Sequence, residues 1–125
     1  MSINIDLLEK VCDHIQAHPE LIDMTKWVRE EDCGTVACIA GHTCLLSGYK
    51  AVEGKKYTMK RGVERISIQD EAQKLLGLDD EQAADLFFTG NWDMTLSHAY
   101  DKCRTPKQRA MVVVRAINKF IEEVY

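Results

Sequence analysis

The chain has 125 residues, 46% of them hydrophobic and 29% charged, with only two prolines. That is enough for one hydrophobic core and excludes a disordered or low-complexity polypeptide. The net charge of −4 argues against a bulk nucleic-acid binder, and no apolar run approaches the ~20 residues a membrane-spanning helix needs.

In chain order, a first helix is expected over Ile5 to Ala17, where Leu7, Leu8, Val11 and Ile15 recur at helical spacing. Asn4 suits the N-cap, Asp6 suits the first turn, and Pro19 ends the element. Leu21 to Val28 reads as a short helical turn, and Arg29 to Asp32 as a charged, exposed link. A second helix is expected from about Val36 to Ser47, capped by Thr35 and stopped at Gly48. Within it Ala37, Ala40, Gly41 and Cys44 are small. Glycine inside a helix costs roughly 1 kcal/mol against alanine, so Gly41 implies the close approach of another backbone.

Tyr49 to Ile66 reads equally as a basic loop or as a short hairpin pairing Tyr49 to Glu53 with Lys56 to Lys60. A third helix spans Ile68 to Leu76, with a capping-box pattern at Ser67 and Asp70 and a stop at Gly77. A fourth starts after Asp79, where Gln82 completes a capping box, and a short one covers Thr95 to Lys102. The last helix has Thr105 as cap, Pro106 at its first position and Gln108 three residues after the cap. The fold class expected is therefore mainly α: one domain over residues 1–125, a bundle of about five helices with the basic loop or hairpin near residues 49–66.

The segment before residue 7 has no basic stretch followed by an apolar core, so the expected location is the cytoplasm. The five cysteines are odd in number and are expected to be mostly thiols there. Charge is unevenly spread. Between Lys50 and Arg65, six cations (Lys50, Lys55, Lys56, Lys60, Arg61, Arg65) face Glu53 and Glu64, giving +4 and leaving −8 for the rest. A basic strip on an acidic body favours a specific anion over a polyanion.

Cys33-Gly34-Thr35-Val36-Ala37-Cys38-Ile39-Ala40-Gly41-His42 resembles the CGTxxCxAGW/H signature of a family of small bacterial and phage proteins. Trp27 before it, Leu75 to Leu78 and Gln82 to Phe87 after it extend the resemblance over about residues 5 to 95. His42 stands where tryptophan is usual in that family. The resemblance implies a phage setting, and with it an accessory or counter-defence role more than metabolism. By analogy, such a protein acts as a sponge for a nucleotide immune signal.

Four candidate sites follow from the residues. The start of the second helix, with Gly34, Thr35 and Val36, offers free N–H groups to an anion; the plainer alternative is a cap and a turn. Cys38 and His42, with Cys33, His14 or Cys12, are candidate zinc ligands, though the spacing matches no standard site. Cys33 with His42 as base is a candidate for thiol chemistry, but no third orienting residue is evident. Lys55, Lys56, Lys60, Arg61 and Arg65 can gather phosphates, with Tyr57, Tyr49 or Trp92 stacking on a base; a solvated surface strip is the alternative.

The function expected is non-enzymatic binding of a small phosphate-bearing or nucleotide-derived ligand. Its residues would be Gly34, Thr35, Val36, His42, Lys56, Tyr57, Arg61, Arg65 and Trp92. No cofactor, metal, membrane or bulk nucleic acid is expected as a partner. The alternatives are an adaptor that docks a partner or a second copy of itself through the amphipathic C-terminal helix and, further off, a zinc or thiol enzyme.

Overall fold

In a computed structural model that describes residues 2–124, the order of elements is α1 (Ile5–Ala17), a 3-10 turn (Pro19–Leu21), β1 (Val28–Glu31), β2 (Gly34–Ala37), α2 (Ile39–Leu46) and β3 (Lys50–Ala51). There follow β4 (Thr58–Arg61), β5 (Glu64–Ser67), α3 (Ile68–Leu76), α4 (Asp80–Phe87), a second 3-10 turn (Thr89–Asn91), α5 (Met94–Asp101) and α6 (Pro106–Val124). The fold is mixed α/β. Among the described residues there are six α-helices, one antiparallel pair β1-β2 and one three-stranded antiparallel sheet of order β3-β4-β5. This corrects the expectation of a mainly α bundle of about five helices.

The largest correction lies at Gly34-Thr35-Val36. These residues do not open a helix. They form β2, paired with β1 in the register Arg29 to Val36 and Glu30 to Thr35. Gly34 takes φ +130°, and the β-branched Thr35 and Val36 then favour extended backbone. The helix starts later, after Cys38, whose side chain makes no capping hydrogen bond. Val36 and Ala37 are buried because β2 runs into the core, which is why they extended the apolar pattern of the helix. Residues 21–28 likewise form no helix beyond the turn at Pro19–Leu21, and the charged link is strand β1.

Local chemistry sets most other boundaries. Asn4 accepts from the N–H of Leu7 at 3.1 Å. Asp79 and Gln82 form a reciprocal capping box, and Thr105 and Gln108 form another across the start of α6. Gly77 ends α3 in the left-handed conformation, at φ +70°. Ser67 precedes α3 but makes no side-chain cap.

The core is built around α2. Ile39 through Cys44 are all buried, and the helix packs against α1, α3 and α4. Leu8, Val11 and Ile15 from α1 and Ile68, Ala72 and Leu76 from α3 join the same core. The apolar stripe of α6, including Ala110, Val113, Ala116, Ile117 and Phe120, is buried there too, with α6 lying on α1 and α5. Met111 remains as the large apolar side chain of α6 that is exposed. No described helix is long and apolar enough to cross a membrane.

Candidate functional site

Residues 49–66 form a hairpin with a third strand. Lys50 pairs with Lys60 and Ala51 with Met59, and β5 then adds to β4 with Lys60 opposite Arg65 and Arg61 opposite Glu64. Met59 is fully buried. Side chains alternate between the faces of a strand, so Arg61 shares the Met59 face while Lys60 and Arg65 share the other. One step in register therefore separates Arg61 from Arg65, two residues that the sequence strip had grouped.

The second hairpin, β1-β2, is anchored through the segment before it. The Asp23 N–H donates to the Ala37 carbonyl at 3.0 Å, and the Thr25 N–H and hydroxyl both donate to Asp23 Oδ1, at 2.9 and 2.6 Å. The Met24 N–H donates to the Tyr100 hydroxyl oxygen at 2.8 Å. The Trp27 carbonyl rests on Gly41 of α2. These contacts fix Trp27 at the entrance to β1.

Between Trp27 and the β3-β4 connection lies a cleft of about 960 Å³. Its aromatic groups are Trp27 and Tyr57, with ring centroids 6.4 Å apart and planes at 67°. Phe88 packs edge-on against Trp27 from elsewhere, at 5.9 Å. Tyr57 is 62% exposed, so most of its ring is available for stacking. Lys26, Arg29, Lys55 and Lys56 supply four cations to the lining, against Glu30 and Glu53. Glu30 already accepts a hydrogen bond from the Thr35 hydroxyl. The cleft thus combines an open aromatic face with excess positive charge.

Of the residues read from sequence, Lys55, Lys56 and Tyr57 line this cleft. Gly34, Thr35, Val36, His42, Arg61, Arg65 and Trp92 do not. A Cβ at Gly34 would meet the Leu21 side chain at 3.2 Å, so that position faces protein. Val36 is buried. Arg61 stacks over the Tyr49 ring at 4.4 Å, pairs with Glu64 at 3.3 Å and donates to the Ser47 carbonyl at 3.2 Å. Tyr49 is itself buried, and its single hydroxyl proton is shared between Glu71 at 3.0 Å and Glu64 at 3.2 Å; desolvation and those carboxylates push its hydroxyl pKa up to about 12. Trp92 is buried, donates through Nε1 to the Leu86 carbonyl at 3.0 Å and meets Tyr100 edge-on.

Lys26, Trp27 and Arg29 are not among the site residues expected from the sequence. These residues reach the cleft from a different hairpin. A clue was present in the β-branched Thr35-Val36 after a glycine, a strand signal opposite the run Val28-Arg29-Glu30.

The cysteine and histidine candidates resolve separately. Cys33 is exposed in the turn between β1 and β2, whereas Cys12, Cys38 and Cys44 are buried. Burial pushes the Cys38 thiol up to about 11 and the Cys44 thiol up to about 12, away from nucleophilic thiolate. His42 is fully buried, with Nε2 2.7 Å from the Leu21 carbonyl and its ring 5.2 Å from that of His14. Among the described residues no cluster of three His, Cys, Asp or Glu side chains has a metal-binding arrangement.

A second depression, about 840 Å³, lies beside the N-terminal segment and is lined by Ser2, Gln73, Lys74, Asp79 and Gln82 among others. Asp79 and Gln82 are occupied in capping α4, and Lys74 is its one cation among the described lining residues. It lacks the aromatic face and charge excess of the cleft. Comparisons with family models, curated proteins and solved structures return no match for the chain.

Proposed function

We propose that the chain is a non-enzymatic binding protein that takes a small aromatic phosphate ester, a nucleotide or nucleotide derivative, in the cleft between its two hairpins. The observation that carries this reading is the largely exposed Tyr57 ring beside Trp27, surrounded by Lys26, Arg29, Lys55 and Lys56. A base stacks on an aromatic face without needing sequence-specific contacts, and clustered lysine and arginine make charge-assisted bonds to phosphate. The resemblance of residues 33–42 to phage proteins supports sequestration of a nucleotide signal as the biological role.

Intrinsic fluorescence tests this directly. The chain has two tryptophans, of which Trp92 is buried and Trp27 lines the cleft. Titration with AMP, ATP, cyclic AMP and inorganic phosphate is expected to change Trp27 emission and raise Tm for at least one nucleotide. Tyr57→Ala and Lys56→Glu should each weaken that binding by roughly tenfold, the equivalent of one well-made contact. Chromatography should recover the nucleotide intact. No emission change and no thermal shift with any of these compounds at millimolar concentration overturns the reading, and turnover of the nucleotide overturns its non-enzymatic part.

A further inference from the structure

Lys50, Lys60 and Arg65 lie directly opposite one another on β3, β4 and β5, and all three are exposed. The adjacent row, Ala51, Met59 and Ile66, includes the fully buried Met59 and so faces the core. The cationic row therefore lies on the outer face. Strands stand ~4.8 Å apart, so the three positions span about 10 Å in a line across the sheet.

Like charges directly opposite each other destabilise an antiparallel pair, and this row contains two such pairs. Among the described residues none of the three forms an ion pair; Glu64, the acid on the neighbouring strand position, is taken by Arg61 and Tyr49. Cations on edge strands are a common protection against edge-to-edge pairing, which accounts for Lys50 and Arg65. It does not account for Lys60, which sits on the central strand, where both edges are already paired. β-propensity does not favour lysine there either. A linear anion laid across the strands would remove the repulsion and use all three charges at once.

We propose that the outer face of the three-stranded sheet is a second binding site, for a linear oligophosphate of three or more phosphates, engaged by Lys50, Lys60 and Arg65. This site does not depend on the cleft, since the row stands on register alone and shares no residue with the cleft lining.

The test compares inorganic tripolyphosphate with orthophosphate at matched ionic strength, by calorimetric titration of the wild-type chain, Lys60→Thr and the double variant Lys55→Thr/Lys56→Thr. Tripolyphosphate should bind and orthophosphate should bind at least ~10-fold more weakly. Lys60→Thr should lose at least ~10-fold in tripolyphosphate affinity, while its Tm without ligand rises by about 2–4 °C because two like-charge contacts are gone. The double variant should keep its tripolyphosphate affinity. Loss of affinity in the double variant but not in Lys60→Thr, or an unchanged or lowered Tm in Lys60→Thr, overturns the proposal. So does tighter binding of a DNA duplex with the same Lys60 dependence and none of tripolyphosphate, which would identify a nucleic-acid surface instead.

Discussion

The main-chain oxygen of Trp27 occupies the space next to Gly41 that any larger residue would need. A Cβ at position 41 would lie 2.0 Å from that oxygen and 2.5 Å from the Ala37 Cβ. Glycine is tolerated inside α2 because its cost in helix propensity is offset by seating the segment that carries Trp27. The core helix and the candidate cleft are thereby coupled through one backbone contact.

Gly41→Ala is the direct test of that coupling. Propensity alone predicts a gain of roughly 1 kcal/mol in a helix interior. The clash is with backbone, which cannot rotate away as a side chain can, and overpacking of this kind typically costs about 1–3 kcal/mol. The expected outcome is net destabilisation in urea unfolding, with altered Trp27 emission in the folded state. A stabilised variant with unchanged emission would mean that residues 23–27 do not rest on α2.

His42 makes stability depend on pH. Its ring is buried, which lowers its pKa from 6.5 to about 4, with His14 nearby adding to the depression. The hydrogen bond from Nε2–H to the Leu21 carbonyl fits the neutral ring and leaves Nδ1 buried without a partner. In the unfolded chain the same histidine takes up its proton near pH 6.5, so the unfolded state binds more protons between there and pH 4. Stability is full above that window and falls as the pH drops through it, by about 3 kcal/mol for this group. His14 is lowered in the same direction and adds to the slope. Denaturant unfolding at a series of pH values should show the decline, and His42→Gln should flatten it between pH 6.5 and 4 while lowering stability at pH 7. An equal slope in the variant would assign the effect elsewhere.

What the sequence made legible was local. The limits of α1 and α3, the capping boxes at Asp79 and Thr105 and the turn at Gly77 follow from residues within four positions of one another. The close packing of Gly41 was legible too, because a helical glycine needs a reason. The β1-β2 hairpin was hidden. Arg29, Glu30 and Glu31 are all exposed, so β1 shows no alternation, and Val36 and Ala37 read as a continuation of the apolar helix. The cleft inherited that error. Lys56 and Tyr57 lie in the basic strip, but Lys26, Trp27 and Arg29 join them only through tertiary packing, which sequence spacing does not encode. The same holds for Arg61 and Arg65, whose separation onto opposite faces depends on a register invisible to a count of charges.

Thiol accessibility provides a third measurement. Cys33 is exposed, Cys103 is partly exposed with its Sγ 3.1 Å from the Ala99 carbonyl, and the other three are buried. Desolvation pushes the Cys12 thiol up to about 11 and raises that of Cys103 as well. Since thiolate is the reactive form, a disulfide reagent at pH 8 should modify Cys33 fast, Cys103 slowly and the rest only in denaturant. Fast reaction of Cys38 in the folded protein would contradict its burial and reopen thiol chemistry at that position.

Arg61 and Lys56 belong to one basic strip in the sequence, yet their structural settings predict opposite phenotypes. Arg61 bridges the Ser47 carbonyl, Glu64 and the Tyr49 ring, so it ties β4 to the end of α2. About half of its side chain is solvent-exposed, which limits the ion pair; the cation–π contact and the carbonyl bond bring the expected loss to roughly 1 kcal/mol. Arg61→Ala should therefore lower stability by that amount and leave nucleotide affinity in the cleft unaltered. Lys56 is exposed, forms no ion pair among the described residues and lines the cleft, so Lys56→Ala should leave stability within about 0.5 kcal/mol and weaken nucleotide binding. Parallel urea unfolding and fluorescence titration of the two variants separates the roles. If Arg61→Ala weakens binding as much as Lys56→Ala does, the ligand reaches the Met59 face of the sheet, and the cleft boundary must be extended to include it.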